Sequence, residues 1–102
     1  MGKRGAERFA KVLSENNTLC ELNFCGNVEI RDDAVELVSR GLKNNRSLLI
    51  FDLSSCGVGD EGCAHLADAL MENRTLKSLL LHKNEISDGG IVALSETLAK
   101  RS

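Results

Sequence analysis

The sequence predicts an α/β repeat fold, and three observations carry that reading. The first is local. Between Leu76 and Leu98, Leu76, Leu79 and Leu81 mark the buried face of a short strand, Asn84 and Ile86 follow, and Asp88, Gly90, Leu94 and Leu98 fall at helical spacing. The second is recurrence. Ile30, Val58 and Ile86 stand 28 residues apart, as do Asp32, Asp60 and Asp88, Val38, Leu66 and Leu94, and Leu42, Leu70 and Leu98. The third is that the helical half of the same unit stands once more at the start of the chain, without a strand. A fixed period of this length means that each unit buries its apolar face only by stacking on its neighbours.

The elements follow in chain order. A helix is predicted near Gly5–Ser14, because a step of 29 places Phe9 under Val38 and Leu13 under Leu42. This half repeat covers the open edge of the first strand, and the pattern is that of a segment from a longer array or of a minimal cap. The first strand is centred on Glu21–Cys25, with Leu22 and Phe24 inward. Asn27 marks the turn, where Val28 and Glu29 replace the single residue of later repeats, and a helix runs near Asp32–Lys43. The second unit has a strand at Ile50–Ser54, Cys56 in the Asn column and a helix at Asp60–Glu72. The third has a strand at Ser78–His82, Asn84 at the turn and a helix at Asp88–Lys100. The whole is one domain, 1–102, divided into a half repeat (1–16) and three repeats (17–44, 45–73 and 74–102).

Each polar column has an expected role. Asp32, Asp60 and Asp88 stand at helix starts, where a carboxylate accepts orphan N–H groups. Ala34, Gly62 and Gly90 let the helix start lie close to the strand layer. Asn16, Asn45 and Asn73, where helices end, suit a left-handed residue, with Thr18, Ser47 and Thr75 bonding nearby backbone. Asn27 and Asn84 bond backbone as the strand leaves the sheet, and Cys56 substitutes as a small buried thiol.

These residues resemble the leucine-rich repeat, LxxLxLxx(N/C)xL, and the 28- to 29-residue length with its helical half, IxDxGxxxLxxxL, resembles the ribonuclease-inhibitor type. The resemblance covers about Phe9 to Leu98. It implies a right-handed α/β solenoid, with a short parallel sheet on the concave face and helices on the convex face. It also implies protein binding as the function, as in ribonuclease inhibitor, Nod-like receptors and tropomodulin. The Ran GTPase-activating protein supplies the alternative, an enzyme-regulating repeat domain. That activity depends on an exposed Arg after a strand and on an acidic tail, and here only Arg31 stands in the post-strand segments and no acidic tail exists.

Composition narrows the classes. The net charge is −2 with 27% charged residues, and the only local basic pairs are Lys3–Arg4 and Lys100–Arg101, so neither nucleic acid nor a membrane is an expected partner. No apolar run approaches a membrane span, and no signal-peptide core follows Met1, which points to a cytoplasmic protein. The four cysteines lack zinc spacing; Cys63 reads as core filler and all four as reduced thiols. No metal and no cofactor is expected. Three Asn-x-(Ser/Thr) triplets coincide with the Asn16, Asn45 and Asn73 column, which the repeat itself requires.

Function is expected on the outward strand residues, since the inward ones are occupied by the core. Three rows are predicted on the concave face: Glu21–Ile50–Ser78, Asn23–Asp52–Leu80 and Cys25–Ser54–His82. Ile50 and Leu80 are aliphatic where the scaffold needs none, and with Glu21 and Asp52 they form a mixed acidic and apolar patch for a protein partner. Without Trp or Tyr the affinity is expected to be modest. Ser54, His82 and Asp52 together suggest a nucleophile, base and orienting acid. However, Asp52 lies on the nucleophile's own strand, Cys25 and His82 are about 9.6 Å apart over two strand spacings, and an open sheet has no oxyanion hole, so no enzyme is expected. The third strand and the flank around Ile91 and Leu98 lack a covering coil, and self-association through this C-terminal edge is expected.

Overall fold

Apolar side chains two residues apart on each strand and four apart on each helix meet inside one coil, and that meeting sets the order of elements. In the computed structural model, which describes residues 2–101, these are α1 (Lys3–Glu15), β1 (Glu21–Asn23), α2 (Arg31–Asn44), β2 (Ile50–Asp52), α3 (Asp60–Glu72), β3 (Ser78–Leu80) and α4 (Asp88–Arg101). The three strands form one parallel sheet in the order β1-β2-β3. Glu21, Ile50 and Ser78 stand in register, as do Leu22, Phe51 and Leu79, and Asn23, Asp52 and Leu80. This is the register that the 29- and 28-residue steps predict. Helices pack beside one another on the other side of the sheet, α1 on α2, α2 on α3 and α3 on α4.

The strands have three residues each, not the five expected. At the ends of β1 and β2 the side-chain oxygens of Asn23 and Asp52 accept the N–H groups of Cys25 (2.8 Å) and Ser54 (2.9 Å), while backbone bonds between repeats run on into the turns, from Gly26 N–H to Ser54 O (3.0 Å) and from Ser55 N–H to His82 O (2.8 Å). The left-handed residues Gly26, Ser55 and Lys83 then complete the turn in each repeat. Arg31 is also left-handed (φ 52), two residues beyond Glu29 in the segment that is one residue longer than in the later repeats.

The middle coil is buried on both flanks. Leu48, Phe51, Leu66 and Cys56 are 0% exposed, whereas Leu22, Phe24, Leu79, Leu81 and Leu94 are half-buried. The rings of Phe9, Phe24 and Phe51 carry the core across the stack at centroid distances of 5.1 and 5.7 Å. Leu19, which stands 29 residues before the buried Leu48, is exposed because no strand lies beyond β1 to cover it.

The polar columns join repeats to each other, and this corrects three expectations. Asn16, Asn45 and Asn73 are extended (φ −78, −78 and −85), not left-handed. They work through their side chains. Asn73 Nδ2 donates to Leu42 O (2.8 Å) and Asn45 O (2.9 Å) of the preceding repeat, while its Oδ1 accepts Thr75 and Leu76 N–H at the start of its own; Asn45 repeats the arrangement. Asn45 and Asn73 are therefore buried and committed, which closes two of the three glycosylation triplets. The Ser47 hydroxyl likewise donates to Leu19 O of the preceding repeat (2.9 Å). The Asp column does not cap its own helix. Asp32 accepts Gly59 N–H (2.7 Å), and Asp60 accepts the hydroxyl of Ser87 and the N–H groups of Ser87 and Gly90, which begin the next helix.

The small-residue column follows from that reach. A Cβ on Gly90 would lie 2.7 Å from Asp60 Oδ1 and 2.8 Å from Ile86 Cγ2, and one on Gly62 would collide with Asp32 Oδ1. The preceding repeat's carboxylate occupies the space, and only glycine leaves room for it. In the first repeat Lys3 stands in the Asp column, no carboxylate arrives, and Ala34 fits. The Cys56 thiol donates to Phe24 O (3.1 Å) from its Asn-column position, while Asn84 Nδ2 donates to Leu53 O (2.9 Å) in the equivalent role.

Candidate functional site

The concave face of the sheet is free of helices, and each strand presents its odd positions there. Glu21, Asn23 and Cys25 from β1 and the turn after it are exposed, as are Ile50 (37%), Ser78 and His82, while Asp52 and Leu80 are half-buried. Register sets Ile50 between Glu21 and Ser78, and Asp52 between Asn23 and Leu80. The predicted rows are thus brought together, with one correction.

Ser54 is 6% exposed and does not belong to the surface. Backbone bonds between repeats continue past Asp52, from Ser55 N–H to His82 O (2.8 Å), and the Ser54 hydroxyl accepts the backbone N–H of His82 (3.0 Å), tying the two turns together. Its partner is thus the main chain of His82, not the imidazole, and a nucleophile–base pair is not assembled here. Cys25 has no partner row either, since Ser54 is withdrawn between it and His82.

The face has a member that alternation alone misses. Leu49 is 40% exposed, ahead of Ile50, and Cys20 and Lys77 stand exposed at the matching positions of the neighbouring repeats. Its signal was present in the three-residue step from Leu48 to Phe51. Both of those are core residues, so the two between them cannot alternate and both lie outside. Leu49, Ile50 and Leu80 are the aliphatic members of this face, with Glu21 and Ser78 in register on either side of Ile50 and Asp52 beside Leu80.

Among the described residues no group of three or more His, Cys, Asp or Glu is placed to hold a metal ion, and no helix is long and apolar enough to cross a membrane. On the convex side, Lys43 bridges Asp68 (3.3 Å) and Glu72 (3.4 Å) between α2 and α3, which holds its ammonium above its ordinary pKa. Exposed pairs of this kind fasten helices weakly. His65 stands 4.0 Å from Glu36 on the same face, an edge position and not a ligand set.

Comparison with known proteins places this geometry. The profile of the family described as Leucine Rich repeat matches residues 44–67 and 72–95. Over 93 residues the chain is 33% identical to the human NACHT, LRR and PYD domains-containing protein 13, covering 90% of this chain and 9% of that protein. Over 95 residues it is 32% identical to the mouse ribonuclease inhibitor, covering 92% of this chain and 21% of that one. The chain therefore spans about a tenth to a fifth of the length of these relatives. Among solved structures, actin-binding site 2 of leiomodin-1 superposes with a TM-score of 0.84 at 23% identity, over 91% of this chain and 54% of that one. The C-terminal domain of Caenorhabditis elegans tropomodulin does so with a TM-score of 0.82 at 16% identity, over 94% and 58%. These two likenesses are of fold.

Proposed function

The chain is a leucine-rich repeat protein of the ribonuclease-inhibitor type, and from that premise we propose that the concave face of its sheet binds a protein partner, as one stretch of a longer repeat surface. The observation that carries this reading is the exposure of the aliphatic residues Leu49 (40%) and Ile50 (37%), near the half-buried Leu80, on a sheet whose core is complete without them. Aliphatic area held on a preorganised surface and edged by charge favours association, because little ordering is lost on binding. The acidic border of Glu21 and Asp52 suits a partner that offers an apolar contact with a cation beside it.

The relatives support the class of function and not the identity of the partner. One is named as an inhibitor of a protein, and one structural neighbour as an actin-binding site. The share of each relative that the chain spans supports the reading as part of a longer array. Four free thiols, two of them exposed, support a reducing, cytoplasmic setting.

Affinity capture with the purified chain tests the proposal. Wild-type protein, Ile50→Lys, the double variant Glu21→Lys with Asp52→Lys, and the convex control Glu96→Lys are compared at equal thermal stability. A captured protein that is retained by wild type and by Glu96→Lys, and lost by both concave variants, is the expected result. Capture lost only with the convex change would refute it.

A further inference from the structure

The turns that lead into the strands carry charge of one sign. Arg46 and Arg74 stand 28 residues apart in one column, Leu49 and Lys77 in another, and all four are exposed. Neither 44–49 nor 73–77 contains an Asp or Glu. Arg46 Nη1 donates to Lys43 O (2.9 Å) and Asn45 O (3.0 Å), and Arg74 Nη1 donates to Arg101 O (3.2 Å). Each guanidinium is thus steadied by main-chain carbonyls and not neutralised by a carboxylate. The end of a helix such as α2 carries only about half a negative charge, which leaves Arg46 a net cation. Lys77 makes no ion pair among the described residues.

This surface is open in the interior of a repeat array. Arg46 and Leu49 keep their exposure with a repeat on either side. Arg74 and Lys77, in the same columns one repeat on, therefore stay open when a further repeat follows.

The sign of the charge changes where the strands begin. Lys77 is level with Leu49, to whose carbonyl its N–H donates (2.9 Å). One residue on, Glu21 is level with Ile50, and Asp52 follows. Neither acid forms an ion pair among the described residues. Leu49 and Ile50 straddle this boundary. The turns beyond the strands mix signs, Glu29 and Glu85 with Arg31 and Lys83, and select for neither. A ligand of one sign gains on one side of the boundary what it loses on the other, so the arrangement favours one that changes sign along its length.

Resting on the concave-face reading above, we propose that this boundary sets the partner's orientation. The partner is a protein segment with an acidic end, an apolar centre and a basic end. Its acidic end lies on Arg46, Arg74 and Lys77, its centre on Leu49 and Ile50, and its basic end beside Glu21 and Asp52.

Fluorescence anisotropy and NMR on the full chain test this with three labelled peptides that share a centre of valine and leucine. One has three aspartates at one end and three lysines at the other, one has aspartates at both ends, and one has lysines at both. The mixed peptide is expected to bind at least about fivefold tighter than the other two at low salt, with the gap narrowing as salt is added. A nitroxide on its aspartate end should broaden the Ser47 and Thr75 amides, and one on its lysine end those of Asn23 and Asp52. Arg74→Glu with Lys77→Glu should remove the end preference, and Ile50→Lys should abolish binding. Equal affinity for the three peptides, or equal broadening of both sets of amides from either end, would overturn the proposal on the unaltered chain. The concave reading survives that result if Ile50→Lys still abolishes binding. Binding that Ile50→Lys leaves intact, or no binding at millimolar peptide, would overturn both.

Discussion

Asp60 shows how a single side chain serves two repeats. The Ser87 hydroxyl, then the N–H groups of Ser87 and Gly90, hold its carboxyl below the ordinary 3.8, against a smaller opposing effect of burial. A depressed carboxyl stabilises the fold at pH above the unfolded value and loses that contribution as pH falls through the folded one. Stability should therefore fall on acidification below about pH 4, and Asp60→Asn should flatten that part of the profile in denaturant titrations at stepped pH. An unchanged acid slope in the variant would remove Asp60 from the account. Gly90→Ala sets a methyl against the same carboxylate and should cost about 1–3 kcal/mol, whereas Ala34→Gly, where no carboxylate reaches, should cost no more than about 1 kcal/mol of helix propensity. The thiols divide in the same local way. Burial, with Asp60 and Asp32 nearby, pushes Cys63 up to about 11, and burial raises Cys56, while Cys20 and Cys25 are exposed. Iodoacetamide at mildly alkaline pH should label Cys20 and Cys25 in the native protein and the other two only after unfolding. Early native labelling of Cys63, read by peptide mass, would contradict its placement.

Each strand has an inward row that holds the coil and an outward row that does not, and mutation should separate them. Leu53, 1% exposed between the half-buried Phe24 and Leu81, should cost about 2–5 kcal/mol on truncation to Ala. Asp52→Ala removes an outward carboxylate together with its turn bond to Ser54 N–H, worth about 0.5–1.5 kcal/mol. Equal losses in denaturant midpoint would mean the two faces are exchanged. The joints between helix and strand rank in a like manner. Asn73 makes four bonds across two repeats from a fully buried position, and its loss should cost at least about 3 kcal/mol. Asn16 holds Thr18 and Leu19 N–H within its own turn and is half-buried, so Asn16→Ala should cost less than half as much. The existence and order of these elements were legible in the sequence because the apolar columns repeat at one step. Their ends were less so: the strands have three residues each, and at the ends of β1 and β2 Asn23 and Asp52 accept N–H groups two residues on, bonds that no periodicity records.

At the scale of the whole molecule, the sequence displays the coil and hides the contacts between coils. That Asp32 reaches Gly59 and Asp60 reaches Ser87 depends on three-dimensional stacking, and the columns alone read equally well as caps within one repeat. The concave face was legible residue by residue at Glu21, Ile50, Asp52 and Leu80, where alternation holds. Ser54 was misplaced and Leu49 was missed for one reason: the strands have three residues each, and in the segments that flank them the two-residue rule no longer sets the direction of a side chain. The central claim is that this face, and not the helical one, meets a partner. Photocrosslinking tests it most directly, with a benzophenone amino acid placed in turn at Ile50, at Leu80 and, on the helical side, at Met71 and Glu96. The account predicts a discrete heavier adduct from Ile50 and Leu80 that disappears when Glu21 and Asp52 are both changed to Lys, and none from Met71 or Glu96. Adducts from the helical positions with none from the sheet would contradict it.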